Sequence, residues 1–158
     1  ENINRQTLPL VLLLDNIRSP FNTGSIIRTA EALGVKTIIL SGITPNPDKN
    51  NKVKKAAKNV NINIEIVEST IKCIKKYKDK NYKIYGIEKT SNSKNIKEQQ
   101  ILFPSMLISG NEEFGISKEV LDECEDIFHI PMFGNKNSLN VSVATGIILF
   151  EISKKLML

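Results

Sequence analysis

The sequence predicts an α/β fold, a mostly parallel sheet with helices on both faces, within a single domain spanning residues 1–158. Apolar runs without alternation at Leu8 to Leu14, Lys36 to Leu40 and Ser105 to Ile108 are typical of strands buried on both faces. Helical patterns between such runs indicate βαβ units. Two late strands each end in a polar, glycine-containing loop. Because ligands bind beyond the carboxyl ends of parallel strands, we expect a ligand site between Gly110 and Asn140.

The first unit is a strand, a polar loop from Arg18 to Ser25, a helix that Gly34 ends, and a second strand. We expect Asn22 and Arg28 to lie on either side of the start of this helix. They are either a cap plus a solvated arginine or part of an anion site, because helix N-terminal amides and a guanidinium both favour phosphate. Spacing alone leaves both interpretations open.

The middle of the chain continues the alternation. Lys49 to Lys58 is a basic helix, either a solvated face or a phosphate-binding surface. Asn63 to Val67 is a strand, Ser69 caps a helix that runs to Tyr77, and Lys83 to Gly86 is a short strand. The polar segment Glu88 to Gln100 is predicted to be a loop.

The C-terminal part begins with the strand at Ser105. A short helix starts at Ser117, a strand spans Ile127 to Ile130, and a polar loop spans Phe133 to Asn140. The last helix runs from Val141 to about Leu158 and is apolar on more than one narrow stripe. It is therefore either deeply buried or packed on a second copy of the chain.

Composition narrows the possible chemistry. The chain is 41% hydrophobic and 25% charged, as in soluble globular proteins, with a net charge of +5 that is compatible with an anionic partner. Cys73 and Cys124, each on a predicted helix, indicate free thiols in a reducing compartment. His129, the sole histidine, lies in a predicted strand, where a single histidine is more often structural than catalytic. This argues against Ser-His-Asp and Cys-His catalysis. No segment spans a bilayer, and the start ENINRQ is unlike a signal peptide, so we expect a cytoplasmic protein.

Three segments together carry a family resemblance. They are Asn22 to Arg28 (NTGSIIR), Ile108 to Gly115 (ISGNEEFG), and Ile130 to Met132 (IPM) followed by Ser138 to Ala144 (SLNVSVA). In this order they resemble the three motifs of the TrmH/SpoU family of RNA ribose 2′-O-methyltransferases in the SPOUT superfamily. The resemblance covers nearly the whole chain. It is closest to compact members, because the separate N-terminal RNA-recognition domain common in the family is not found in this sequence.

The resemblance implies a SPOUT fold with a deep C-terminal trefoil knot, a homodimer, S-adenosylmethionine as methyl donor, and tRNA or rRNA as substrate. It implies neither a metal nor a membrane. The residues that match catalytic positions are Arg28, Asn22, Glu112, Ser138 and Asn140, and those expected to bind the cofactor are Ser109, Gly110, Ile130, Met132 and Leu139.

The implied reaction is attack by a ribose 2′-hydroxyl on the methyl group. Because a guanidinium stays charged, Arg28 is expected to clamp the adjacent phosphate and favour ionisation of the hydroxyl. Glu112 is expected to orient Arg28 or Asn22. Ser138 and Asn140 would fix the loop and the substrate. Two alternatives remain: a knotted RNA-binding protein without catalysis, and an α/β domain that binds a small molecule.

Overall fold

The computed structural model describes residues 7–156. Within them the chain alternates strands and helices as the sequence predicts. The strands are β1 Leu8–Asp15, β2 Val35–Ser41, β3 Asn63–Val67, β4 Lys83–Ile87, β5 Lys94–Asn95, β6 Ser105–Ser109 and β7 Asp126–His129. The helices are α1 Pro20–Ala32, α2 Asn51–Ala57, α3 Thr70–Asp79, α4 Lys118–Asp122 and α5 Val141–Leu156, with a 3₁₀ turn at Ile96–Glu98.

The strands form one sheet in the order β3-β2-β1-β6-β4-β7-β5. Every strand pair among the described residues is parallel, so the carboxyl ends share one edge of the sheet. At that edge Leu14 of β1 lies opposite Ser109 of β6. The predicted mostly parallel α/β fold is confirmed.

Both faces of the sheet are covered. Leu12 and Leu14 of β1 pack in a cluster that includes Ile26 of α1 and Ile148 of α5. The intervening Leu13 packs in a second cluster on the opposite face, with residues of α3 and α4. β1 is therefore buried on both faces, which is the arrangement that its unbroken apolar run predicts.

The first helix begins earlier than the sequence interpretation placed it. Pro20 is the first helical residue, a position at which helices accept proline. Ser19 caps the helix, since its side-chain oxygen accepts a hydrogen bond from the Asn22 N–H at 3.1 Å. Asn22 and Arg28 therefore both lie within α1, and the expectation that the helix starts between them is wrong.

Other boundaries differ at short elements. The segment predicted as a loop, Glu88 to Gln100, contains β5 and the 3₁₀ turn, both too short for a periodic pattern. The basic helix is shorter than predicted, because the side chain of Asn50 caps it. Cys124 follows α4 instead of lying on it. Both cysteines are free thiols, as expected.

Gly24 sets the distance between α1 and α2. A Cβ atom on Gly24 would lie 2.7 Å from the Cβ of Ala56, closer than real side chains approach. The sequence interpretation assigned this glycine to a tight loop. It lies instead inside α1, where its missing side chain allows α2 to pack closely.

The N-terminal segment ENINRQ lies outside the described residues, as do residues 157–158 of the last predicted helix. Among residues 7–156 no helix is both long enough and apolar enough to cross a membrane.

Candidate active site

A cavity of about 560 Å³ opens at the carboxyl edge of the sheet. It lies where β4, β6 and β7 end and where α5 begins, which is the position predicted for a ligand site. The residues around it are Asn22, Ile87, Glu88, Lys89, Ser109, Gly110, Asn111, Glu112, Glu113, Gly115, Phe128, His129, Ile130, Met132, Asn137, Ser138, Leu139, Asn140, Val141 and Ala144.

The cavity brings together all but one of the predicted site residues. Segments from α1, the loop after β6 and the loop before α5 contribute. The predicted residues that line it are Asn22, Ser109, Gly110, Glu112, Ile130, Met132, Ser138, Leu139 and Asn140. Arg28 is the exception, because it lies exposed on α1 and does not line the cavity.

Glu112 fastens the loop after β6 to the start of α1. Its carboxylate accepts from the backbone N–H groups of Arg18 and Ser19, both at 2.8 Å, and from the side-chain amide of Asn22 at 3.1 Å. Partial burial raises the pKa of Glu112, but these hydrogen bonds outweigh burial and hold the pKa below its usual 4.5. Of the two roles expected for Glu112, the structure shows contact with Asn22 and none with the side chain of Arg28.

A chain of hydrogen bonds joins the three motifs. Since a carboxylate only accepts, Asn22 must turn its Nδ2 to Glu112, which leaves its Oδ1 to accept from Asn140 Nδ2 at 3.2 Å. The Asn140 Oδ1 in turn accepts from the Ser142 N–H at 2.8 Å, at the start of α5. Each amide therefore has one consistent orientation, and Glu112, Asn22 and Asn140 hold the cavity wall as a unit.

Ser109 and Gly110 shape the cavity through the backbone. Thr145 Oγ1 donates to the Val141 carbonyl, so the Ser109 hydroxyl donates to Thr145 Oγ1 at 2.7 Å and is already used inside the protein. A Cβ on Gly110 would lie 2.6 Å from the backbone of both Gly115 and Ile116. The packing of its own loop therefore requires glycine at position 110, whether or not a ligand is bound.

His129 and Glu88 also line the cavity, and the sequence interpretation did not place them in the site. The Ser93 hydroxyl donates to the Thr90 carbonyl, so His129 Nδ1 donates to Ser93 Oγ at 2.9 Å. Glu88 accepts from the Ile116 N–H at 2.9 Å. The usable signal for His129 was its position directly before the IPM motif, at the end of a strand.

Comparison with known proteins supplies the family. The profile described as the SpoU rRNA Methylase family matches residues 9–150. The chain belongs to this family. The three motifs, which fall between Asn22 and Ala144, all lie within the residues that this profile matches.

Individual relatives agree with that assignment. The chain is 30% identical over 155 residues to a tRNA (guanosine(18)-2′-O)-methyltransferase of Aquifex aeolicus, covering 98% of this chain and 74% of the relative. It is 38% identical over 155 residues to the 23S rRNA (guanosine-2′-O-)-methyltransferase RlmB of Blochmanniella floridana, covering 91% of this chain and 57% of the relative. The chain thus spans little more than half the length of some curated relatives.

A solved structure matches the fold over nearly the full chain. The AdoMet-bound rRNA methyltransferase from Sinorhizobium meliloti superposes with a TM-score of 0.84 at 31% identity, covering 99% of this chain and 60% of that one. The layered sheet described above is therefore the SpoU methyltransferase fold.

The SpoU cavity suits S-adenosylmethionine in size and chemistry. Its volume of about 560 Å³ lies in the range of about 300–1,000 Å³ typical of cofactor sites. Ile130, Met132 and Leu139 offer apolar surface, and the carboxylates of Glu88 and Glu112 favour a cationic ligand.

Among residues 7–156 no group of three or more His, Cys, Asp or Glu side chains could hold a metal ion.

Proposed function

We propose that the chain transfers a methyl group from S-adenosylmethionine to a ribose 2′-hydroxyl of tRNA or rRNA. The observation that carries this proposal is the hydrogen-bonded unit of Glu112, Asn22 and Asn140 on the wall of the cavity. It joins the three family motifs at one place, although they lie far apart in sequence. Relatives named as tRNA and rRNA 2′-O-methyltransferases support the same chemistry.

The apolar and backbone groups of the cavity are the proposed cofactor site. Gly110, Ile130 and Met132 present backbone and apolar surface, and Leu139 lies on the same wall. S-adenosylmethionine, when bound, supplies an electrophilic methyl group. The residues that line the cavity would hold the cofactor and would orient its methyl group for attack by a hydroxyl.

The polar residues at the rim are proposed to position the RNA. Ser138 and Asn140 stand where the loop meets α5, and Asn22 is held beside them by Glu112. Positioning of this kind converts a bimolecular encounter into an oriented one, which supplies much of the rate enhancement. Glu112 acts through Asn22 and the α1 loop, so we assign it a positioning role.

Arg28 requires a second subunit in this proposal. Arg28 does not line the cavity of its own chain. On α5, which packs on the same face of the sheet as α1, Val143, Ile147 and Phe150 are exposed at 49%, 39% and 56%. An apolar helix face of this kind is typical of an interface between copies. We infer a homodimer in which Arg28 of one subunit reaches the cavity of the other and clamps the phosphate beside the reacting ribose.

The C-terminal trefoil knot belongs to the same proposal. Its support is the family fold together with the path of the loop before α5, which returns from β7 to bond Asn22 of α1. An experimental structure that traces the chain from Ser109 to Asn140 tests the threading, and an unthreaded path would contradict it.

Labelled S-adenosylmethionine provides the direct test of the activity. Incubation with total tRNA and rRNA should label RNA, and nuclease digestion should place the label on ribose 2′-oxygens. Ribose-methylation mapping in cells with and without the protein would then name the nucleotide, and we propose that the protein acts in the cytoplasm. Salt-sensitive RNA binding without any transfer would instead favour the RNA-binding alternative.

A further inference from the structure

Phe133 stands isolated in solvent on the rim of the cavity. Its residue is 90% exposed, the highest value among the exposed large hydrophobic residues. It follows Met132, which lines the cavity, and it precedes a run of exposed residues that includes the lining residues Asn137 and Ser138. Because the Phe133 ring is not buried, it does not contribute to the hydrophobic core. Its exposed faces are instead available for stacking.

One lysine side chain lies close to this ring. The Nζ atom of Lys97 lies 5.7 Å from the centroid of the Phe133 ring. Lys97 belongs to the 3₁₀ turn directly after β5, at the same sheet edge as the cavity. Lys89 on the cavity wall and Lys136 in the loop of Phe133 are exposed as well. Within residues 7–156, none of these three lysines forms a salt bridge, whereas Lys94 pairs with Asp126 at 2.7 Å.

We propose that Phe133 is a stacking platform for an unpaired RNA base next to the methylated nucleotide, with Lys97 contacting the neighbouring phosphate. The inference rests on the proposed function and extends it, because it states the form of the substrate. A base reaches an exposed ring only when it is splayed out of a helix, and aromatic stacking is a common mode of single-strand recognition. The substrate nucleotide therefore lies in a loop or a single-stranded segment.

Charge complementarity favours RNA over a second copy of the chain as the occupant. The segment that follows Phe133 carries the polar or basic residues Asn135, Lys136 and Asn137, and lysine is depleted at the centres of protein interfaces. The apolar face of α5, at Val143, Ile147 and Phe150, has the composition expected of an interface between copies. A phosphate backbone, in contrast, is attracted by the ammonium group of Lys97 beside the ring.

Three substitutions at one position test the stacking. Phe133→Ala should weaken binding of unfractionated tRNA or total rRNA by about 5-fold to 150-fold, because that is the range for losing one base stack. Phe133→Leu keeps apolar volume without a stacking plane and should recover little. Phe133→Trp should restore binding. The effect should appear in KM for RNA, while calorimetric affinity for S-adenosylmethionine stays unchanged.

Leu102→Ala is the matched control. Leu102 is 58% exposed and precedes β6, at the opposite end of the sheet from the cavity, so its truncation should leave RNA binding unchanged. For the cation, Lys97→Gln should lower the salt slope of RNA binding by about 0.7, as expected for one lost phosphate contact to a single strand. Lys76→Gln on α3, which packs on the other sheet face, should leave the slope nearly unchanged.

The outcomes separate the two proposals. Unchanged RNA affinity and KM in Phe133→Ala, with an active parent protein, overturns the stacking inference and leaves the methyltransferase standing. A changed oligomeric state or cofactor affinity in that variant also overturns it. If the parent protein transfers no methyl group, the proposed function fails, while RNA binding that depends on Phe133 would still support the platform.

Discussion

Glu112 couples two parts of the chain through a single side chain. Its two oxygens serve three donors, and two of these are backbone groups just before α1. The hydrogen bonds favour the ionised form, so the pKa is lower in the folded state than in the unfolded chain. The resulting stability is present above the unfolded pKa of about 4.5 and is lost as pH falls through the lower folded value.

Glu112→Gln should remove this coupling. One amide oxygen replaces two carboxylate oxygens, so the N–H groups of Arg18 and Ser19 cannot both keep their partner. We expect a loss of about 1 kcal/mol of unfolding free energy at pH 7, a modest value because the site is largely exposed to solvent. Urea unfolding between pH 3 and 7 measures it. Glu113→Gln is the control, since its contact with Arg18 is exposed and long at 3.7 Å. Equal effects of the two variants would contradict the anchoring role.

Asp15 is a buried carboxyl at the end of β1. Burial raises its pKa above 3.8, although the hydrogen bond from Thr70, at 2.6 Å, acts in the opposite direction. The folded protein therefore holds this proton more tightly than the unfolded chain does. Its contribution makes stability fall as pH rises from about 4 through the folded pKa.

Asp15→Asn should consequently stabilise the protein at neutral pH. The asparagine Oδ1 still accepts from Thr70, and no charge is buried. Thermal melting should show a higher Tm than the parent at pH 7, and the difference should shrink toward pH 4. A lower Tm at pH 7 would mean that the ionised carboxylate is needed by the fold.

At the same scale, motif matching located most of the site and missed the rest for physical reasons. Asn22, Glu112 and Asn140 were identified through the family motifs, but their mutual hydrogen bonds depend on tertiary contact. His129 and Glu88 lacked a local signal, because a lone strand histidine and a loop glutamate are usually structural or solvated. Arg28 was identified by its motif. It does not line the cavity of its own chain, so its proposed role depends on the second subunit.

Among the elements, the close contact between α1 and α2 is open to direct test. Gly24→Ala raises helix propensity by about 1 kcal/mol, yet its Cβ would lie 2.7 Å from the Cβ of Ala56. Overpacking of this kind costs about 1–3 kcal/mol, so we expect net destabilisation. The double variant Gly24→Ala with Ala56→Gly removes the overlap and should recover the lost stability in urea unfolding. A stabilised single variant would show that the helices separate freely.

Elements with strong patterns were predictable, and short ones were not. β1, β2 and β6 were visible as unbroken apolar runs, because both of their faces are buried. β5 has two residues and pairs only with the end of β7, so no periodicity marks it. The early start of α1 follows from capping by Ser19, a local contact that the apolar stripe of the helix does not report.

For the whole molecule, the α5 face predicts association. Ile147→Glu together with Phe150→Glu should place charges on the proposed interface and yield a monomer by light scattering. Methyl transfer should fall sharply with it. The control is Leu102→Glu, another exposed apolar position, which should leave the mass unchanged. A monomeric parent protein would contradict the proposed dimer.

Mixed subunits test whether Arg28 acts across that interface. Arg28→Ala and Asn140→Ala should each be inactive alone. Refolded together in equal amounts, they should form dimers that contain one intact site, giving about one quarter of parental activity if subunits assort randomly. No recovery from the mixture, with dimers confirmed, would place Arg28 and the cavity in the same subunit.

The proposed assembly and the proposed threading of the chain could not be predicted from periodicity and spacing. Those patterns describe a parallel sheet with helices, and they favour an unknotted path because knots are rare. Only the combined family motifs implied a dimer and a knot. The wide apolar surface of α5 indicated extra burial, but the sequence left open whether this occurs within or between subunits.

The bonds that tie Asn22 to Glu112 and to Asn140 bridge 90 and 118 positions of the chain. Contacts so distant form late, because a long loop must close before they contribute. During translation, α1 is synthesised many seconds before Glu112 and Asn140, the residues that bond its Asn22. A nascent chain that stops before Asn140 would contain all seven strands of the described sheet but neither Asn140 nor α5, so its cavity would be incomplete and the proposed methyl transfer could not begin.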